Sequence, residues 1–139
     1  MTEGKKVMSV TPELERLQFP EHYAYVLVGS REKKQVFYLP ITGGYTGFIE
    51  RIACDWHAGS NPPATRSILE LEIDGFTRKY EYEIQINKPY VFDPPLVARN
   101  YIRWWATNND VPHTESGEQK DGSHYYGILT DGFLAKPKS

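Results

Sequence analysis

Asp110, His113, Glu115, Asp121 and His124 crowd into one polar stretch, "DVPHTESGEQKDGSH", and are residue types that hold metal ions. Zinc takes three or four nitrogen, sulfur or carboxylate ligands in tight geometry, whereas calcium takes several oxygens from a rigid loop. The spacing matches no established motif for either metal, so the expectation is a solvated loop with no metal and no cofactor. Cys54 and His57 could form a nucleophile and base pair. On an extended chain, residues three apart project to opposite faces, so these two side chains diverge. Cys54 falls in an apolar row with Ile52 and Trp56, which predicts a buried, inert thiol. Glu70, Glu72, Glu81 and Glu83 could supply the paired carboxylates of a glycosidase, but they lie on polar hairpin faces with Lys79 and Gln85. Such rows are usually solvated and pair their charges across strands. With no G-x-S-x-G, no phosphate loop and no H-E-x-x-H, the residues argue against an enzyme.

Binding chemistry is better represented. In "ARNYIRWWATNND" adjacent tryptophans must point to opposite faces of a strand. Leu96, Ala98, Asn100, Ile102, Trp104 and Ala106 share a row of core composition, so Trp104 is expected inside. Trp105 then shares the outer row with Arg99, Tyr101 and Arg103, a mixture that combines contact area with hydrogen bonding. Its ring could be covered by the chain's own N-terminal arm or long loop, buried against a partner subunit, or used to stack a sugar. Asn108, Asn109 and Asp110 at the strand end, and Tyr125 and Tyr126 further on, complete the candidate partner or ligand surface.

The elements that must position these residues have the texture of strands. "HYAYVLVG" and "KQVFYLPI" flank the polar "SREKK" and read as two strands and a loop. In "GYTGFIERIACDWHAG" the row Phe48, Glu50, Ile52, Cys54, Trp56 is expected inward and the row Ile49, Arg51, Ala53, Asp55, His57 outward. "RSILELEIDGFTRKYEYEIQI" is a hairpin about an Asp74-Gly75 type I′ turn, with Leu69, Leu71, Ile73, Phe76, Tyr80, Tyr82, Ile84 and Ile86 on its apolar face. "NKPYVFDPPL" reads as a short strand between proline bends, "VARNYIRWWATN" as another, and "HYYGILTDGFL" as a last one or two; residues 109–123 read as a long loop. Roughly seven to nine strands without a strong helix predict an all-β, two-sheet antiparallel sandwich, a jelly roll or related Greek key. Residues 1–20 are polar and read as an N-terminal arm, in which "TPELERL" could make one helical turn; residues 21–139 form a single domain.

The totals agree with one folded domain. The chain has 139 residues, 40% of them hydrophobic and 14% aromatic. Sixteen Lys and Arg against eighteen Asp and Glu give a formal charge of -2, and no basic run exceeds a pair of lysines. A nucleic-acid footprint needs a cationic face, so no nucleic acid is expected as partner. The single Cys54 excludes an internal disulfide, which fits a reducing compartment. No stretch approaches the roughly 20 apolar residues of a membrane span, nor the apolar core of a signal peptide, so the expectation is folding in the cytoplasm without a membrane partner.

The central part, "GFIERIACDWHAGSNPPATRSILELEIDGFTRKYEYEIQINKPYVFDPP", resembles the small β-sandwich accessory proteins of tailed phages and other virus particles. The polar arm, tyrosine-rich sandwich and long loops carry the resemblance over residues 20–135. It implies a non-enzymatic decoration or accessory subunit, commonly a homotrimer, that binds a capsid or other virion protein at the virion surface after folding in the host cytoplasm. Two other classes compete. A carbohydrate-binding module would use Trp105, Tyr101, Tyr125 or Tyr126 as a platform, with Asn108, Asn109 and Asp110 bonding hydroxyls. A cupin-like metal enzyme would need converging histidines, and the four present, at 22, 57, 113 and 124, contain no H-x-H pair.

Overall fold

The computed structural model describes residues 13–55, 67–80 and 89–138. Trp56, His57, Glu81, Tyr82, Glu83, Ile84, Gln85 and Ile86 lie outside the described residues, as do Thr11 and Pro12. Eleven strands follow in order: β1 (Leu14–Gln18), β2 (Tyr23–Val28), β3 (Lys33–Pro40), β4 (Thr46–Asp55), β5 (Ser67–Ile73), β6 (Phe76–Tyr80), β7 (Tyr90–Ala98), β8 (Tyr101–Asn108), β9 (His113–Glu115), β10 (Glu118–Lys120) and β11 (His124–Pro137). The period-two alternation of apolar residues has produced strands because it gives each sheet one buried face.

A five-stranded sheet runs β1-β11-β4-β7, with β2 also on β11, and a four-stranded sheet runs β3-β8-β5-β6. The antiparallel pairs β2·β11, β3·β8, β4·β7 and β5·β6 are those of one long folded ribbon, strands 2 to 5 going out and 6, 7, 8 and 11 returning. Rolling that ribbon up adds the closing pairs β4·β11 and β5·β8. That is the jelly-roll arrangement, two Greek keys in two packed sheets. The core between the sheets contains Val28, Val36, Phe37, Leu39, Ile49, Ile52, Leu69, Leu71, Ile102, Trp104, Tyr126 and Ile128, all buried. Trp104 is fully buried and its indole N–H donates to the Thr130 hydroxyl at 2.7 Å, so the ring's polar atom is satisfied inside the core.

The β5–β6 hairpin closes as expected, with Ile73 opposite Phe76 and both turn residues at positive φ, Asp74 at 52° and Gly75 at 93°. Asp74 tolerates that conformation and uses its carboxylate to accept the backbone N–H groups of Arg99, Asn100 and Tyr101, at 2.8, 2.7 and 3.1 Å. The hairpin tip is thereby fastened to the β7–β8 turn.

Four expectations change. The row assigned to β4 holds at Ile52 and Cys54 but inverts before them: Ile49 is fully buried, Glu50 is exposed, and Phe48 stacks on Phe133 with centroids 5.0 Å apart. The cause is a bulge at Glu50, where Arg51 pairs with Asp131 but the next pair is Ile49 with Gly132. One extra residue moves every later side chain to the other face. Gly132 is the one residue that fits opposite, since a Cβ there would sit 1.9 Å from the Phe48 carbonyl oxygen. Second, Leu14–Gln18 is not a helical turn but an edge strand on the far half of β11. Third, β7 runs through Pro94 and Pro95, tolerated because β7 is an edge strand and bulges against β4, and the break falls instead at Arg99 and Asn100, which divides "VARNYIRWWATN" between β7 of one sheet and β8 of the other. Fourth, the 109–123 segment carries a small hairpin, β9–β10, turned by Ser116 and Gly117 at positive φ.

Candidate functional site

Trp105 lies on the outer face of the four-stranded sheet, between Gln35 of β3 and Glu70 of β5. Trp105 is half-buried, and its partners among the described residues come from β3, β5 and its own strand. The indole N–H donates to Glu72 Oε1 at 2.9 Å, and the Tyr101 hydroxyl donates to Glu72 Oε2. The Arg103 guanidinium stands 3.9 Å from the same carboxylate and over the rings of Tyr38, Tyr101 and Trp105, at 5.1, 5.0 and 5.5 Å from their centroids. Its Nε is buried without a hydrogen-bond partner, so this cation is held by ring faces and by charge. Lys33 approaches the Trp105 ring at 5.3 Å while paired with Glu70 at 3.3 Å.

The hydrogen bond from Tyr101, and after it that from Trp105, holds the Glu72 carboxyl below the usual glutamate range. The same bond pushes the Tyr101 hydroxyl up. At Asp74 burial works the other way, but the backbone N–H bonds from Arg99, Asn100 and Tyr101 outweigh it and lower the carboxyl. The face that the sequence offers as an open strip is therefore largely occupied by its own partners. Arg99 is exposed beside it, in the turn before β8.

The other predicted surface residues divide. Asn109 and Tyr125 are exposed, whereas Asn108, Asp110 and Tyr126 are buried at one end of the sandwich. The Asn108 amide donates to the carbonyls of Val28, Gly29 and Gly122, at 3.1, 3.1 and 2.8 Å, so it ties three chain segments together. Asp110 Oδ2 lies 2.7 Å from His124 Nε2, with both side chains buried. Its backbone N–H donates to Asn108 Oδ1 at 2.9 Å, and its carbonyl accepts from the Ser30 hydroxyl at 2.7 Å. Tyr126 meets Ser67 at 2.5 Å, and burial pushes its hydroxyl up to about 12. Buried polar side chains close the mouth of a sandwich only when they satisfy loop backbone in this way.

Of the candidate metal ligands, Asp110 and His124 meet. The His113 Nδ1–H donates to the Val111 carbonyl at 2.7 Å and the ring lies 3.3 Å from Glu115, which raise its pKa in that order; Asp121 binds Ser123. Among the described residues no three His, Cys, Asp or Glu side chains form a set that could hold a metal ion. Cys54 is buried. Glu70 and Glu72 lie in the ion pairs and hydrogen bonds of the strip, two residues apart on one strand.

A feature that the candidate residues touched only at Tyr125 is on the opposite side of the molecule. On the outer face of the five-stranded sheet, Tyr23, Tyr25 and Leu27 of β2 and Tyr125 of β11 are exposed, Leu27 at 42% and Tyr125 at 45%. Leu27 pairs with Tyr125 and Tyr25 with Gly127, and the rings of Tyr25 and Tyr125 stack at 5.0 Å and 7°. The signal was present in "YAYVLV", where the outer row of Tyr23, Tyr25 and Leu27 is bulkier than the inner row of Ala24, Val26 and Val28.

No family model matches the chain, and no curated protein matches it. Among solved structures, the crystal structure of FLHE aligns with a TM-score of 0.46 and 8% identity, covering 90% of this chain and 98% of that one. The VP2 subviral particle of infectious bursal disease virus aligns at 0.45 and 10% identity over 91% of this chain and 33% of that one. The Gt strain of the same virus aligns at 0.43 and 11% identity, over 91% and 32%. The chain thus spans about a third of the length of these viral chains. At such identities and TM-scores the functional reading rests on this chain's own residues.

Proposed function

We propose that this chain is a non-enzymatic assembly subunit that uses the outer face of its five-stranded sheet to seat further copies of itself. The setting that fits is a virus particle, with the chain folded in the host cytoplasm, assembled as a homo-oligomer, a trimer in this reading, and carried at the virion surface on a capsid or other virion protein. The observation that carries the proposal is the exposed row of Tyr25, Leu27 and Tyr125, adjoining large side chains on one sheet face. Contiguous apolar patches of this kind mark interaction sites, and tyrosine suits them because it combines area with a hydroxyl. A sugar platform is less well supported by the same residues. Two rings on neighbouring strands that stack 5.0 Å apart stand upright on the sheet and turn edges, not faces, to a ligand.

Light scattering on the full chain tests the proposal. The wild type is expected to show a defined oligomer whose mass falls in Leu27→Asp and in Tyr125→Asp, with thermal melting unchanged. Equal masses for wild type and both variants would contradict it.

A further inference from the structure

A second self-complementary surface lies where the edge strands β6 and β7 of the two sheets line one groove. Phe76, immediately after the Asp74-Gly75 turn, is 80% exposed, more than any other large apolar side chain among the described residues. It sits opposite Ile73 in the hairpin and so belongs to the row that elsewhere faces the core. Beside it opens a groove of about 300 Å³, lined by Ile73, Asp74, Phe76, Arg78, Leu96 and Val97. An apolar cavity of ~150 Å³ accepts a benzene ring, so a phenylalanine side chain fits here.

A knob and a hole on the same surface patch are what an isologous contact needs, because a two-fold axis sets the knob of each copy against the hole of the other. The charges obey the same rule, since the groove carries one anion, Asp74, and one cation, Arg78. A two-fold axis passing between them sets each against its opposite. We infer that the β6–β7 edge is a two-fold interface between copies of this chain, with Phe76 of each copy seated in the groove of the other. This contact is separate from the sheet face proposed above and stands whether or not that face assembles.

Sedimentation velocity on the full chain carrying Leu27→Asp, which disables the sheet face, tests the inference across a range of protein concentrations. The expected result is a dimer, converted to monomer by adding Phe76→Asp and weakened at least 10-fold by adding Arg78→Glu. Thermal melting serves as the folding control, and Phe76→Ala replaces Phe76→Asp if the latter melts early. A Leu27→Asp protein that stays monomeric throughout, or a dimer insensitive to both changes at the groove, would overturn the inference. Because the sheet-face test reads a mass change caused by Leu27→Asp, and this one reads a mass change within that background, either can fail alone.

Discussion

The two outer faces of the sandwich use aromatic residues in opposite ways. On the four-stranded sheet, Tyr38, Tyr101 and Trp105 surround Arg103, and Glu72 accepts from two of those rings, so aromatic area is consumed by neighbours on the same face. On the five-stranded sheet, Tyr25 lies opposite Gly127 and Leu27 opposite Tyr125, and the three large side chains stay 51%, 42% and 45% exposed. Aromatic content alone therefore does not locate a docking face. What decides is how much of each ring the cross-strand neighbours cover.

Substitutions can break or sharpen this contrast, and the largest effects belong to the shared core beneath both faces. Trp104→Ala should cost about 3–5 kcal/mol in urea unfolding, because it removes a fully buried ring and strands the Thr130 hydroxyl. Asp110→Ala should cost about 3 kcal/mol, since it leaves His124 buried without its carboxylate. The contrast between faces begins with Trp105→Ala, expected to cost about 1 kcal/mol as ring contacts and one hydrogen bond to Glu72 are lost. A Trp105→Ala protein that loses assembly without losing stability would reverse the assignment of faces.

Acid sharpens the contrast. Asp74 and Glu72 both have carboxyls lowered in the folded protein, so each contributes stability above its unfolded value, roughly 4, that is lost as pH falls through the folded value. Asp74→Asn keeps a residue that tolerates positive φ but removes the charge that accepts three backbone N–H bonds. It should cost about 1 kcal/mol at neutral pH, after allowance for solvent screening, and the difference from wild type should shrink below pH 4 in chemical denaturation. The smallest stability effect is expected for Leu27→Asp, within about 0.5 kcal/mol, because the position is exposed.

Much of the fold was legible because strands announce themselves locally. Alternation gave the sandwich, Asp74-Gly75 gave the hairpin, and parity placed Trp104 in the core and Trp105 outside it. The inversion at Phe48 and Ile49 was hidden, since a bulge is a property of a strand and its partners, and β11 lies far along the chain. The candidate site was less legible. Asn108, Asp110 and Tyr126 have polar groups that composition assigns to the surface, yet closing one end of the sandwich requires buried acceptors and donors for loop backbone at Val28, Gly29 and Gly122. Tyr101, Arg103 and Trp105 do share the outer face, with Arg99 in the turn beside it, but the occupation of that strip by Glu72 depends on β5 lying next to β8.

The central claim is that the tyrosine-lined face assembles and the arginine-lined face does not. Sedimentation equilibrium of wild type, Leu27→Asp and Trp105→Ala at matched concentration tests it most directly. The account predicts a lower mass for Leu27→Asp and the wild-type mass for Trp105→Ala. A lower mass for Trp105→Ala with Leu27→Asp unchanged would contradict it.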